Sequence, residues 1–335
     1  MRLRRFRRGR LSVTVPRLPV ICIGNIQTGG TGKTPLVAWA LDSLHARGLI
    51  LGLVARGVGR TTKGLIVWQA GDSGTPDPLV LGDEVAMLVQ ERPWLPAAVA
   101  ARRADAVHAL SLLPSPPQLA IMDDGFSHLA LARDIDLLCI DCGSPPWTML
   151  PAGRLREPLR SLRRAGCFIL NRGDSTYLDA WQAALDRFAP QKPRFTVKTE
   201  PTALVDVNSG ANIPFADYEG KKVLAVSGIA HPHKFEQSLL ELGMEPIPRR
   251  FGDHHRYKSC DMAEIDRLAE LHRCAAIVTT AKDAIKWLAL KPDFPVPALI
   301  LQISPRFEPP SDEAVLLNLL TQAYEEGCKR LASAL

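Results

Sequence analysis

The sequence predicts an α/β protein with a mostly parallel sheet, followed by a second and smaller α/β domain. Short apolar runs alternate with stretches whose apolar residues recur at helical spacing, as expected for parallel strands joined by helices. The chain has 335 residues, 46% hydrophobic and 23% charged, so it can bury a large core and is most simply interpreted as two domains. Proline and charge interrupt the pattern between about residues 171 and 221. We therefore predict one domain over residues 1–172 and another over residues 173–335.

The first predicted domain begins with a strand, a glycine-rich turn and a helix. The helix extends from Pro35 to about Ala46, because apolar residues recur at helical spacing and Gly48 follows the last turn. The apolar runs that predict strands are Val20–Ile23, Ile50–Ala55, Leu119–Met122, Ile135–Ile140 and Cys167–Leu170. Strands that are apolar throughout are buried on both faces, which is the usual situation in a parallel sheet.

The second predicted domain shows the same alternation on a smaller scale. Its predicted strands are Lys222–Ser227, Ala275–Thr280 and Ala298–Ile303. The last segment, from Ser311 to Ala334, has the apolar spacing of an amphipathic helix.

Positive charge is concentrated at the start of the chain. The net charge is +6, and the first ten residues include Arg2, Arg4, Arg5, Arg7, Arg8 and Arg10. Such a cluster favours an anionic surface, either nucleic-acid phosphate or acidic lipid headgroups, although a solvated terminal arm explains it equally well. No aromatic stacking platform or recognition helix accompanies it, so we do not expect nucleic acid as a partner.

Cysteine usage and the distribution of apolar residues indicate the compartment. Seven scattered cysteines predict a reducing environment rather than a disulfide framework. Cys139 and Cys142 form a C-x-x-C, but the surrounding residues predict a buried strand, so core packing explains their spacing. No run of about 18 or more apolar residues predicts a membrane span, and no apolar segment follows the arginines as in a secretory signal. We expect a cytoplasmic protein, with or without association with a membrane surface.

The glycine-rich turn has the composition of a phosphate-binding loop, Gly29, Gly30, Thr31, Gly32, Lys33 and Thr34. It follows a strand and opens a helix, which is the context that a P-loop needs. Its glycines let backbone N–H groups surround a phosphate, and the helix N-terminus adds positive potential. Lys33 is expected to reach the β- and γ-phosphates, and the hydroxyl of Thr34 to bind Mg²⁺. The usual pattern has glycine where this chain has Gln27.

Two acidic segments are candidates to complete a nucleotide site. Asp123 and Asp124 end an apolar run and have the form of a Walker B element, which supplies a further metal ligand. In isolation they would also fit an ordinary Asp-Asp-Gly turn. Asp83 and Glu84 open a helical pattern, and by themselves they predict only a helix with an acidic first turn.

A third polar cluster, at residues 251–257, contains Asp253, His254, His255 and Arg256. A histidine paired with a carboxylate can take a proton from a hydroxyl, and a kinase needs such a base to prepare its acceptor. In isolation this cluster is equally well explained as a surface loop.

Together these motifs resemble the tetraacyldisaccharide 4'-kinase family, the lipid A 4'-kinases. The matching segments run in family order from about residue 18 to 290 and are Gly24-Asn25, Gly29–Pro35, Arg56-Gly57 with Gly59, Gly82-Asp83-Glu84, Asp123-Asp124-Gly125 with His128, Leu150–Pro158, Phe251 with Asp253-His254, and Thr279-Thr280 with Lys282-Asp283-Ala284. The segment 150–158 is the most specific, because no general nucleotide-binding fold requires it. The chain departs from the family at Ser127, usually glutamine, and at Ala281, usually glutamate.

The resemblance implies a P-loop NTPase core that transfers the γ-phosphoryl group of ATP to the 4'-hydroxyl of tetraacyldisaccharide 1-phosphate. The substrate would be this lipid A disaccharide precursor, and no obligate protein partner is evident. Asp83 would take the hydroxyl proton, supported by His254 from the second domain, which would close over the site. Lys33 would neutralise charge on the transferred phosphate.

The resemblance also implies ligands for the metal and for phosphate groups. The implied Mg²⁺ ligands are Thr34, Glu84 and Asp123. The candidate contacts to nucleotide or substrate phosphate are Arg56, Arg154 and Arg156, because arginine offers a planar fork of donors.

A kinase of this family would act as a peripheral protein at the cytoplasmic face of the bacterial inner membrane. Family members usually begin with a longer apolar membrane-associating segment than the one before the first strand here. Either the chain as given begins late, or membrane contact relies on the N-terminal arginines and another apolar surface. Each arginine contributes roughly 1 kcal/mol near an acidic bilayer, so the arm could hold the protein there reversibly.

The alternative function is a P-loop GTPase or ATPase that hydrolyses nucleotide as a conformational switch. Residues 171–174, Asn-Arg-Gly-Asp, follow a strand and resemble the Asn-Lys-x-Asp motif with which GTPases bind guanine. The lysine is replaced and the segment lies at the predicted domain boundary, so we interpret it as a loop. Phosphate release without a lipid acceptor would favour the alternative.

Overall fold

A computed structural model of the chain describes residues 13–72 and 74–333. In the first half, the elements are β1 Val20–Asn25, α1 Lys33–Ala46, β2 Leu51–Ala55, β3 Ile66–Trp68, α2 Pro78–Leu81, α3 Asp83–Glu91, β4 Ala97–Val99, α4 Arg103–Ser111, β5 Leu119–Asp123, β6 Ile135–Asp141 and β7 Cys167–Asn171. In the second half, they are α5 Leu178–Phe188, β8 Arg194–Asp206, β9 Asn212–Ile213, β10 Lys222–Ser227, α6 Pro232–Glu241, β11 Glu245–Arg250, α7 Ser259–Leu271, β12 Ala276–Thr280, α8 Ala281–Trp287, β13 Ala298–Phe307 and α9 Ser311–Ala332. The N-terminal arginines at positions 2–10 lie outside the described residues.

The described strands form one thirteen-stranded sheet in the order β11-β10-β12-β13-β8-β7-β6-β1-β5-β2-β4-β3, with β9 beside β8. Strand pairs are parallel except β3 with β4, β8 with β13 and β8 with β9. The predicted mostly parallel α/β fold is therefore confirmed. Strand β1 is completely buried between β5 and β6, so the loop that follows it starts in the middle of the sheet.

The segment between residues 171 and 221, which appears irregular in sequence, contains helix α5 and the long strand β8. Only a few side chains of β8 are buried, so its sequence lacks a clear apolar pattern. Backbone pairing to β7 on one side and β13 on the other holds it in the sheet. Pro201 lies where the pairing with β13 shifts register, a position at which a strand tolerates proline. The division at residues 172/173 stays a prediction, because β8 makes the sheet continuous across it.

Helix α9 is the last element in chain order, but it packs against β1 and α1 of the first half. The indole of Trp39 on α1 donates to the Glu313 carboxylate at 2.7 Å, and Arg330 pairs with Asp134 at 3.0 Å. Gly327 allows the close approach, because a Cβ atom there would lie 2.8 Å from Pro19 and 2.9 Å from Asp134. The last helix thus packs against the first strand and against the helix that follows the glycine-rich loop. Within the described part of the chain, no helix is long and apolar enough to cross a membrane.

We expect Gly327→Val to destabilise the protein, because the added carbons would overlap Pro19 and Asp134. Overpacking of this kind costs about 1–3 kcal/mol, and urea unfolding would measure it. Ala314→Val, on an exposed position of the same helix, is the control and should change stability by only about 0.5 kcal/mol. Equal effects of the two variants would contradict the close packing of α9.

Candidate active site

The glycine-rich loop joins β1 to α1 and leaves the start of the helix open. Gly29 and Gly32 have φ angles of +90° and +80°, which glycine adopts without strain. Gly32 is the N-cap of α1 and offers no side-chain acceptor, so the first N–H groups of the helix stay available to an anion. Asn25 steadies the loop by donating to the Thr31 hydroxyl at 2.8 Å. This geometry is that of a phosphate-binding loop.

Gln27, which replaces the first glycine of the usual pattern, anchors the loop to β6. Its side-chain amide donates to the carbonyl of Asp141 at 3.0 Å and accepts from the N–H of Asp141 at 2.9 Å. The side chain is completely buried. Its φ is not left-handed, so this position does not require glycine.

Arg154 holds the same loop from the other side. Its guanidinium donates twice to the carbonyl of Thr28, at 3.0 and 2.8 Å, and also to Ser144 and Asp141. Nη2, one of the two nitrogens that donate to Thr28, also lies 3.2 Å from Nε2 of His231. Burial and the neighbouring Arg154 lower the pKa of His231, so the neutral imidazole can accept from the arginine. The predicted phosphate contact at Arg154 thus has its donors engaged within the protein.

Lys33 and Arg156 both bind Asp124. The Lys33 ammonium lies 3.5 Å from Oδ1 of Asp124, and Arg156 binds both carboxylate oxygens, at 3.1 and 2.9 Å. Burial raises the pKa of Asp124, but the hydrogen bond from Arg156 and the charge of Lys33 outweigh it and leave the pKa lowered. Lys33 is therefore placed at the mouth of the loop by an ionised carboxylate.

Asp123 and Glu84 form a carboxylate pair beside the loop. Burial and then the neighbouring Glu84 raise the pKa of Asp123 to about 8, which is typical of two carboxyl groups that share a site. Oδ1 of Asp123 is buried and has no hydrogen-bond partner. Both residues line a small cavity together with Arg56 and Asp124.

These carboxylates suit a hard divalent cation. Mg²⁺ is usually held by one or two carboxylates, a hydroxyl and substrate phosphates, and the unpartnered oxygen of Asp123 is an acceptor that needs a ligand. Thr34 follows Lys33 in the first turn of α1, as its predicted role requires. Within residues 13–72 and 74–333, no group of three or more histidine, cysteine or acidic side chains forms a metal site by itself. The residues present thus fit a cation that is completed by nucleotide phosphate.

Arg56 differs from the other two candidate arginines. Its side chain lines the carboxylate cavity, and no hydrogen bond or ion pair engages it within the described residues. Arg103, buried on α4 nearby, has a lowered pKa because of burial and then the charge of Arg56. Arg56 is accordingly the arginine that remains available for a phosphate group.

Asp83 and His254 meet across the two halves of the chain. Nδ1 of His254 lies 2.9 Å from Oδ2 of Asp83, although 171 positions separate the residues. Asp83 opens α3 next to Gly82, which has a left-handed φ of +89° and packs closely against Gly57, and it directly precedes Glu84, which lines the cavity. His254 itself has φ +58°, and its N–H donates to the carbonyl of Gly228.

Helix α8 contributes two lysines that the sequence analysis did not assign. Lys286 binds Oδ2 of Asp83 at 3.1 Å, and Lys282, one turn earlier, binds Glu84 at 3.3 Å. Burial raises the pKa of Asp83, but the hydrogen bond from His254 and the charge of Lys286 outweigh it and leave the pKa lowered. The sequence did contain a signal for these residues, namely two lysines four positions apart after Thr279-Thr280. This spacing indicates a role only once the helix is seen to pack against α3.

Other polar residues in the sequence motifs have local partners. His255 binds Asp261 at 3.1 Å, at the start of α7, and Asp253 lies 4.0 Å from His254. His254, rather than His255, therefore faces Asp83. His231 precedes the first residue of α6, as a turn that opens a helix.

The segment that resembles a guanine-binding motif is occupied by local contacts. Asp174 accepts from both the N–H and the hydroxyl of Thr176, at 2.9 and 2.6 Å. A Cβ atom on Gly32 would lie 2.4 Å from the amide of Asn171, so Asn171 packs directly against the phosphate loop. The loop interpretation agrees with these contacts.

An open helix N-terminus, an adjacent lysine and an acidic residue at the end of a neighbouring parallel strand define a P-loop nucleotide-binding protein. Comparison with known proteins then identifies the family within this class. The chain belongs to the tetraacyldisaccharide-1-P 4'-kinase family, whose model matches residues 1–321.

Curated relatives and one solved structure agree with this assignment. A tetraacyldisaccharide 4'-kinase of Chlorobaculum tepidum is 35% identical over 87% of this chain and 82% of the relative. One of Pseudomonas putida is 35% identical over 86% of this chain and 80% of the relative. LpxK of Aquifex aeolicus, solved in complex with ATP, has a TM-score of 0.75 at 26% identity and covers 96% of this chain and 94% of its own.

We expect Gln27→Ala to weaken both the fold and nucleotide binding, because it leaves the backbone groups of Asp141 unpaired. Loss of buried hydrogen bonds costs about 1–3 kcal/mol, measured by urea unfolding, and ATP affinity should fall about tenfold as the loop loosens. Gln69→Ala, at an exposed position, is the matched control. An unchanged ATP affinity would contradict the anchoring role of Gln27.

Proposed function

We propose that this protein is a tetraacyldisaccharide 4'-kinase, transferring the γ-phosphoryl group of ATP to the 4'-hydroxyl of tetraacyldisaccharide 1-phosphate in lipid A biosynthesis. The observation that supports this best is the Asp83–His254 pair, 2.9 Å apart, in which Asp83 directly precedes Glu84, a residue that lines the carboxylate cavity with Asp123. A kinase differs from a plain NTPase by a base that prepares an alcohol beside the nucleotide phosphates.

The chemistry follows from this placement. The acceptor hydroxyl loses its proton to Asp83 as its oxygen bonds to the γ-phosphorus, and the bond from that phosphorus to the bridging oxygen breaks to release ADP. The lowered pKa keeps Asp83 ionised and ready to accept the proton. The loop N–H groups and Lys33 bind the triphosphate, and Lys33 neutralises charge on the phosphoryl group in transit.

Thr34, Glu84 and Asp123 would hold Mg²⁺, which when bound neutralises charge on the phosphate oxygens. Binding of the cation would displace the proton that the raised pKa of Asp123 retains near neutral pH. Arg56, with free donors, would contact a phosphate of nucleotide or substrate. Arg154 and Arg156 would support the phosphate loop and Asp124.

We also propose that the second half of the chain closes over the site. It supplies His254 and the lysines of α8 to carboxylates of the first half, so closure would complete the base and exclude water. The protein would work as a peripheral enzyme at the cytoplasmic face of the bacterial inner membrane. The N-terminal arginines would bind anionic lipid there, without an obligate protein partner or nucleic acid.

The function is tested by incubating the protein with γ-labelled ATP, Mg²⁺ and tetraacyldisaccharide 1-phosphate in detergent micelles. We expect label in the lipid, abolished by Lys33→Ala, with little free phosphate. Asp83→Asn should reduce turnover about 100-fold or more while ATP binding stays nearly intact, because a base but no nucleotide contact is lost. Label released mainly as free phosphate would favour the NTPase alternative and contradict closure.

Metal dependence gives a separate prediction. Asp123→Asn removes a ligand charge, so the Mg²⁺ concentration for half-maximal activity should rise about tenfold or more, measured by titrating Mg²⁺ at saturating ATP. Glu325→Gln, an exposed acidic position on α9, is the control. An unchanged Mg²⁺ requirement in Asp123→Asn would remove Asp123 from the proposed ligand set.

A further inference from the structure

The second half of the chain touches the phosphate loop itself through His231, the residue before α6. The imidazole is half-buried, and its Nε2 lies 3.2 Å from Nη2 of Arg154. It also lies against the loop backbone, since a Cβ atom on Gly29 would be 3.3 Å from Nε2 and one on Gly30 would be 3.2 Å from Cδ2. None of these residues belongs to α3 or α8, so this is a second and separate contact between the halves.

The close fit of His231 requires a residue without a side chain at Gly30. The φ angle of Gly30 is not left-handed, so the backbone conformation does not demand glycine. Apart from His231 and the two chain neighbours of Gly30, no described residue has an atom within 4 Å of a Cβ atom placed there. Carbon atoms pack best at about 3.5–4.0 Å, so a side chain at this position would push the imidazole away.

Arg154 connects His231 to the rest of the loop. Its Nη2 carries two hydrogens and has two acceptors, the carbonyl of Thr28 at 2.8 Å and Nε2 of His231. The lowered pKa of His231 leaves the ring neutral, so Nε2 can accept. The carbonyl of Arg154 in turn accepts from the N–H of Thr28 at 2.8 Å. An acceptor on Nη2 limits rotation of the planar guanidinium, and therefore steadies the loop at Thr28.

The first turn of α6 supports this contact. Lys234 lies 3.7 Å from Oδ1 of Asp141, the carboxylate that also binds Arg154. His233, one residue earlier, is 77% exposed and has its partners within its own half of the chain. The two histidines thus differ in surroundings although they are two positions apart. Only His231 contacts the phosphate loop.

We propose that His231 is a positioning residue for ATP, which holds Arg154, and through it the phosphate loop, in the arrangement that receives the triphosphate. This rests on the proposed function, in which the loop binds ATP. The second half of the chain thereby raises the affinity of the loop for nucleotide, besides its proposed role in closure. No bond is made or broken at His231. Its contribution is preorganisation, because a loop that is already fixed loses less conformational freedom when phosphate binds.

The test measures ATP affinity by isothermal titration calorimetry, with Mg²⁺ and without lipid acceptor. His231→Ala should raise the Kd for ATP about tenfold, because Arg154 loses the acceptor that fixes it. His231→Gln should recover most of the affinity, since its amide oxygen can accept near the position of Nε2. In an Arg154→Lys background, His231→Ala should have no further effect, because the group on which His231 acts is gone.

Kinetics and a matched control separate positioning from folding. In label transfer to the lipid, His231→Ala should raise KM for ATP by a similar factor and leave kcat and KM for the acceptor within about twofold. His233→Ala, an exposed histidine in the same turn, should change none of these quantities.

The inference is overturned if His231→Ala leaves the Kd for ATP unchanged or lowers it, if His231→Gln restores nothing, or if the loss is the same with and without Arg154. A loss of affinity that matches the unfolded fraction in thermal unfolding overturns it as well. If the wild type binds no ATP, the proposed function itself fails. If the wild type binds ATP with an affinity that does not depend on His231, only this inference fails.

Discussion

The structure depends on the pairing of charges that are buried where the parallel strands end. Strands β1, β5 and β6 bring Asp123, Asp124 and Asp141 to one edge of the sheet, beside the phosphate loop. A carboxylate removed from water needs a cation or several donors. Arg156 and Lys33 satisfy Asp124, and Arg154 satisfies Asp141. Asp123 keeps a buried oxygen without a partner among the described residues, which is why we propose it as a ligand of the cation.

The need of buried carboxylates for positively charged partners also joins the two halves of the chain. Asp83 and Glu84 belong to the first half, but their donors His254, Lys286 and Lys282 come from the second. His231 contacts Arg154 over the phosphate loop and adds a contact on the other side. Ion pairs and hydrogen bonds between residues of the two halves therefore hold together the surfaces on either side of the phosphate loop. In the proposed closure, a bound triphosphate would add negative charge between the two halves, so nucleotide binding would be coupled to their approach.

Local patterns explain why much of the fold could be predicted. Apolar strands and the amphipathic last helix are determined by side chains within ten or twenty residues, and their predicted bounds agree with the structure to within a few residues. Strand β8 could not be predicted in this way, because pairing to its two neighbours, rather than burial of its side chains, stabilises it. Nor could the position of α9, since its packing on β1 depends on Gly327 and on the ion pair of Arg330 with Asp134.

The sequence by itself determined the phosphate loop and the acidic strand end, because each rests on contiguous residues whose chemistry needs that order. It also determined the family, because several short segments match in the same order along the chain. The partners of individual polar and charged side chains were decided only by the tertiary structure. Arg154 binds the phosphate loop, Arg156 binds Asp124, and Gln27 binds the backbone of β6. Arg56 has no such partner within the described residues. The tertiary structure also brought Lys286 to Asp83 across about two hundred residues. Electrostatic and hydrogen-bond energies depend on distances of a few ångströms, and only the folded chain sets distances between residues so far apart in sequence.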